Sequence, residues 1–206
     1  MAMTGQNTRR LARILDTAGV KPPIPVLRTD GSPAGDVEIR IFSNGELTIV
    51  GLQHDYLPPS SSNSRETVVL ALPTMFSVYD LRTGQAFGDT DRLELDLGSV
   101  EPALLTLSQR PIAPPSIAGP NRVHLGEIAE FHIRSSSPAA HGVIRLEVID
   151  PGGSPVGHYS ANLLTAGPLA AHTLPLAFND KTGAWKLRAT DLPSGRTATA
   201  ELQVEP

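Results

Sequence analysis

The 206 residues include no cysteine. That excludes disulfides and thiolate metal sites, so stability has to come from packing. Charge is sparse, 18% of residues against a usual value of about 25%. The formal net charge is −4, and no basic cluster exceeds Arg9-Arg10. A surface of that sign repels phosphate backbones, so no nucleic-acid partner is expected. Aromatic residues are few: five Phe, three Tyr and one Trp. Long apolar runs are missing as well. Nothing approaches the roughly 20 residues of a membrane-crossing helix, so no membrane span is expected. The opening MAMTGQNTRRLARILDTAGV has no continuous apolar run and does not read as a signal peptide.

Turn formers are plentiful. Eighteen glycines and nineteen prolines suit many short strands joined by tight turns better than a helical protein. One helix is expected over residues 4–19, where Leu11, Ile14, Leu15 and Ala18 recur at helical spacing. Asn7 or Thr8 would cap its start, and Gly19 fits the left-handed position past its end. VKPPIPV then extends, because proline cannot continue a helix.

From there the apolar period is two. GDVEIRIFSNGELTIVGLQHD holds two alternating runs around Asn44-Gly45, which predicts a hairpin with a type I′ turn. DYLPPSSSNSR (55–65) reads as a polar loop. Strands are expected at 66–72, 75–81, 85–88, 92–97 and 103–108. In RLELDL, Leu93, Leu95 and Leu97 share a dry face, and Arg92, Glu94 and Asp96 a wet one. RPIAPPSIAGPN (110–121) is proline-rich and reads as a stiff connector and boundary. A second series of short strands follows at intervals of about 8–14 residues, the pattern of an immunoglobulin-like β-sandwich. Trp185 alternates with Leu187 and Ala189 and should point between its sheets. The expectation is therefore an all-β chain: an N-terminal helix over 1–21, an antiparallel β-sandwich over 22–110 and an immunoglobulin-like sandwich over 111–206.

Candidate chemistry is thin. YDLRTGQAFGDTDRLELD gathers acidic residues, and Asp-Leu-x-x-Gly occurs twice, at 80–84 and 191–195. Asp at the start of a turn accepts backbone N–H bonds, and Gly supplies positive φ. The repeat therefore reads as turn chemistry rather than as an active site. Asp89 and Asp91 are weak metal candidates, since calcium takes 6–8 oxygen ligands and this pair supplies too few. Asp80, Asp89 and Asp91 would be the carboxylates of a hydrolase reading. The six histidines show no local ligand spacing. No G-x-S-x-G elbow and no phosphate-binding glycine loop occur, so no catalytic residue and no cofactor is expected. Phe42, Phe76, Phe131, Phe178 and Trp185 sit where a core would want them. That leaves Tyr56 and Tyr159 as candidates for an exposed sugar-stacking platform, with a polysaccharide as partner.

VYDLRTGQAFGDTDRLELDLGSVEPALLTLS resembles the C-terminal β-domain that follows a β-galactosidase trimerisation-type domain in large bacterial glycoside-hydrolase-like proteins. RRLARILDTAGVKPP resembles the last helix of such a trimerisation domain. GHYSANLL with LPLAFNDKTGAWKLRATDLPSGRTATAELQV is similar to immunoglobulin-like macroglobulin-type modules. The resemblance implies a non-catalytic accessory portion of a larger protein, in an extracytoplasmic or cell-surface setting. Its implied partner is an upstream catalytic or trimerisation domain. None of the family's catalytic motifs occurs in this chain.

Overall fold

The computed structural model describes residues 13–15, 17–54 and 65–206. It is nearly all β. Residues 13–15 and 17 are helical, and Gly19 (φ +73°) ends the turn, as expected. Of its apolar side, the described residues Ile14 and Leu15 are exposed. The proposed caps Asn7 and Thr8 lie outside the described residues. No described helix is long and apolar enough to cross a membrane.

The first sheet holds β1 (Val26–Arg28), β2 (Val37–Asn44), β3 (Leu47–His54), β4 (Arg65–Asp80), β5 (Ala86–Gly98) and β6 (Ala103–Ser108). Its order is β1-β4-β6-β3-β2, with β5 also on β4. Two expected strands are fused in β4, and two more in β5. The fusion is imperfect: the register jumps between Ala71↔Arg92 and Phe76↔Thr90, so four residues of β4, including Pro73, face a single residue of β5. A bulge of that size bends a strand. Before the bend β4 pairs with β1; after it, β4 pairs with β6. The bent sheet encloses a core of Val50, Leu52, Val68, Leu70, Val78, Leu105 and Leu107 together with Leu93, Leu95 and Leu97. The leucine alternation in β5 is as expected, with Arg92, Glu94 and Asp96 exposed.

The remaining strands are β7 (Ser116–Ala118), β8 (Arg122–His124), β9 (Ile128–Arg134), β10 (His141–Ile149), β11 (Ala161–Ala166), β12 (Leu169–Pro175), β13 (Gly183–Asp191) and β14 (Thr197–Glu205). They form a five-stranded sheet, β11-β10-β13-β14-β8, and a three-stranded sheet, β12-β9-β7. One core draws on both: Phe131 and Ile133 from the smaller sheet meet Ile144, Leu146, Leu187 and Leu202 from the larger. Trp185 lies in this core, 2% exposed, and its indole N–H donates to the Lys181 carbonyl (2.8 Å). A buried indole needs such a partner.

Three expectations are corrected here. The proline-rich stretch is no free connector. Ser116–Ala118 pairs with β9, Arg122–His124 pairs in parallel with β14, and Ile112 is buried. The hairpin turn is not type I′. Asn44 pairs with Leu47, so Gly45 and Glu46 are its central residues. Gly45 has φ +64°, and no described residue other than glycine has positive φ. Glycine first with an ordinary second residue is the II′ pattern. Finally, Phe42 and Phe178 are not core residues; they are 59% and 84% exposed.

Candidate functional site

The two Asp-Leu-x-x-Gly segments close the β4–β5 and β13–β14 hairpins, and they are built alike. Asp80 N–H donates to Gln85 O, and Gly84 N–H donates back to Asp80 O (both 2.8 Å). Asp191 N–H donates to Arg196 O (2.9 Å), and Gly195 N–H to Asp191 O (2.8 Å). The Asp80 carboxylate accepts from the N–H groups of Arg82 (2.7 Å) and Thr83 (3.1 Å). The Asp191 carboxylate accepts from Ser194 N–H (3.2 Å), from the Ser194 hydroxyl and from the Ser135 hydroxyl (2.8 Å). Gly84 (φ +72°) and Gly195 (φ +66°) take the left-handed corner, which side-chain-bearing residues disfavour. The carboxylates serve turns, as the sequence indicates.

What the sequence does not show is where the two turns lie relative to each other. They touch, glycine to glycine. A β-carbon at Gly195 would stand 2.3 Å from Gly84 Cα, and one at Gly84 would stand 3.2 Å from Gly195 Cα. Around this contact β1–β6 and the strands that follow them meet in a joint. Asn44 Nδ2 donates to His141 O (2.8 Å), and His141 N–H donates to Asn44 Oδ1 (3.0 Å). Glu46 N–H donates to Pro138 O (3.1 Å). A β-carbon at Gly45 would meet Ala140 N and Pro138 O at 2.5 Å. A small third core of Leu47, Tyr79 and Ile112, with Ala139 against it, fills the space. The Tyr79 hydroxyl accepts from Ile112 N–H (2.8 Å), and the Arg196 guanidinium lies 5.9 Å from the Tyr79 ring centre. Asn44-Gly45, read in the sequence as a hairpin signal alone, is therefore also a contact surface.

An open groove of about 400 Å³ runs beside the first turn, lined by Arg65, Asp80, Arg82, Asp96 and Glu101 among others. Its polar groups are engaged locally. Arg82 Nη1 donates to Pro102 O (3.0 Å), Arg65 Nη2 to Asp96 O (3.1 Å), and the Thr67 hydroxyl to Asp96 Oδ1 (2.8 Å).

The other candidates are scattered. Asp89 accepts a hydrogen bond from the Ser77 hydroxyl, and Asp91 lies opposite the bend of β4. Neither belongs to an acid–histidine cluster among the described residues. Tyr56 lies outside the described residues. Tyr159 offers no free ring face, because it is 7% exposed and packs in the second core with Trp185. Its hydroxyl donates to Asp180 Oδ2 (2.6 Å). Burial, followed by the hydrogen bond to Asp180, raises its pKa above 10.0. A bulky ring with one polar tip is what a sheet corner uses as readily as a binding site does. Asp150 is held below the ordinary 3.8, first by a hydrogen bond from Lys181 and then by the Ser154 N–H.

No protein-family model matches the chain, and no curated protein matches it. Solved structures do. A superoxide reductase (neelaredoxin) from Ignicoccus hospitalis is 23% identical, with a TM-score of 0.35, over 46% of this chain and 82% of that one. The PKD domain of an M14-like peptidase from a Thermoplasmatales archaeon is 17% identical, with a TM-score of 0.31, over 47% of this chain and 98% of that one. Native alpha-2-macroglobulin from E. coli is 18% identical, with a TM-score of 0.39, over 85% of this chain and 12% of that one. At these scores none of the likenesses assigns a role to any residue.

Proposed function

We propose that the chain is a non-catalytic accessory portion of a larger protein. It consists of two β-sandwich units, the second immunoglobulin-like, fixed to each other so that they present one rigid surface to a neighbouring domain or subunit. The observation that carries this reading is the joint. Two hairpin turns of identical design meet through their only side-chain-free positions, beside a reciprocal Asn44–His141 pair. Flexible domain linkers leave few contacts across a boundary, whereas this boundary has a buried core of its own. None of the structures named above is a glycoside hydrolase, and the reading does not depend on a parent of that kind. Small-angle scattering tests it. The intact chain should fit a single conformer. Gly195→Ala should add a population of more extended conformers, and a broad ensemble already present in the parent chain would refute the reading.

A second reading, carbohydrate binding, draws support from the outer face of β2, β3 and β6. Glu38, Arg40 and Phe42 alternate along β2. Arg40 lies opposite Gly51, and Glu38 opposite Gln53. With Leu104 and Pro102 these residues line a shallow groove of about 280 Å³. An exposed ring beside charged and amide groups on a sheet face is a surface on which a sugar can stack. On this reading the ring is Phe42, since Tyr159 is buried. A panel of soluble polysaccharides, titrated against the parent chain and Phe42→Ala, decides it: binding that survives Phe42→Ala removes this face from consideration.

A further inference from the structure

At one end of the first core, four strands bring together groups that are far apart in sequence. Asp36 immediately precedes Val37, which pairs with His54. Arg28 pairs with Val68, two residues beyond Glu66. The donor atoms of Asp36, His54 and Glu66 all lie within 4.8 Å of one another. His54 is 7% exposed, and its Nδ1 is buried without a hydrogen-bond partner among the described residues. That nitrogen faces Asp36 Oδ2 at 4.0 Å, too far for a hydrogen bond. A buried ring nitrogen facing a carboxylate across a gap is costly unless something fills the gap.

Arg28 organises the two acids. Its Nη2 donates to Asp36 Oδ1 (2.6 Å) and its Nε to Glu66 Oε1 (2.9 Å). Each bond uses one oxygen, and among the described residues the other oxygen of each carboxylate accepts no hydrogen bond. A tetrahedral ion with bonds of about 2.0–2.1 Å holds its ligands about 3.3 Å apart. Bringing Nδ1 and Oδ2 to that spacing takes less than an ångström of side-chain movement. Two carboxylates and one arginine sum to one negative charge, which a divalent cation overcompensates by only one unit. One nitrogen and two oxygens suit a borderline ion such as zinc better than calcium or magnesium, which prefer all-oxygen shells. Arginine bonding to the outer oxygens is the outer-shell support that orients ligating carboxylates.

We propose that Asp36, His54 and Glu66 bind a divalent transition-metal ion of the zinc type, with Arg28 positioning the two carboxylates. The ion would tie the ends of β2, β3 and β4 together, and its fourth position would be open to water. This proposal is independent of the accessory reading, since it concerns one end of the first sheet and not the joint.

The test is calorimetric titration of the metal-free full chain with Zn²⁺ alone at pH 7.5, with thermal unfolding recorded in parallel. One equivalent should bind and raise the midpoint of unfolding. Asp36→Asn and His54→Gln should each weaken binding at least tenfold, while His132→Ala, an exposed histidine on β9, leaves it unchanged. Excess Ca²⁺ should not compete. Absence of binding to the parent chain overturns the proposal, as does equal binding by Asp36→Asn and His54→Gln, which would mean adventitious capture by exposed histidines. Should His54→Gln fail to fold, Asp36→Asn decides alone, because its side chain is 43% exposed: retained affinity overturns the site.

Discussion

Asp80 and Asp191 share a turn and differ in their surroundings. Asp80 is half-buried, whereas Asp191 is 1% exposed and takes two serine hydroxyls as well as a backbone N–H. Removing a buried acceptor strands its donors, at about 1–3 kcal/mol each. Asp191→Ala should therefore destabilise the chain by about 3 kcal/mol or more, and Asp80→Ala by about 1 kcal/mol, read from urea midpoints. Two ionisable groups contribute to the pH dependence of stability. Asp150, with its folded pKa depressed, contributes stability that is present above 3.8 and is lost as pH falls through the lower folded value. Tyr159, with its folded pKa raised, contributes stability that is present below 10.0 and is lost as pH rises through the higher folded value. Unfolding midpoints of Tyr159→Phe against pH check the second: the parent should lose stability at the alkaline end, and the variant should not show that loss. A parent whose alkaline limb matches that of Tyr159→Phe would contradict the assignment.

At the scale of elements, the leucine alternation of β5 and the Asp-Leu-x-x-Gly turns are legible in the sequence because their causes are local. Leu93, Leu95 and Leu97 alternate with charged residues, and each turn has its aspartate and glycine in place. Trp185 is legible for the same reason. The bend of β4 is not, since the Pro73-Thr74 break reads equally as a loop between strands or as a bulge within one. Nor are β7 and β8. Proline excludes the interior of a helix and the middle of a sheet, but Ser116–Ala118, between Pro115 and Pro120, and Arg122–His124, just after Pro120, are short segments at sheet edges, where that exclusion lapses. Phe178 misleads because its hydrophobicity does not secure its burial; its ring instead lies outside, over Gly126. A comparison of two glycines isolates the turn contact. Gly153 also has positive φ (+81°), but a β-carbon added there would meet no atom within 4 Å. Gly153→Ala should therefore cost only the backbone term, about 1–2 kcal/mol. Gly195→Ala should cost clearly more, because it must also push Gly84 away. Equal losses of stability would mean that the turn contact carries no weight.

For the whole molecule, the sequence divides the chain at its prolines, and the structure has a larger core on either side of them. It also has a third, smaller core across the division, which no periodicity could announce: Leu47, Tyr79 and Ile112 come from three separate segments, and each looks like an ordinary apolar residue in its own. The Asn44–His141 pair is likewise invisible until both hairpins are placed. The acid–histidine–arginine group at one end of the first core is hidden for the same reason, since its members carry no local spacing. Asn44→Ala should remove two hydrogen bonds across the joint and cost about 1–2 kcal/mol. Backbone ¹⁵N relaxation tests the joint most directly. A single rotational correlation time should describe residues 22–110 and 111–206 in the parent chain, and Gly195→Ala should split it into two. Two distinct correlation times in the parent chain would contradict a rigid joint.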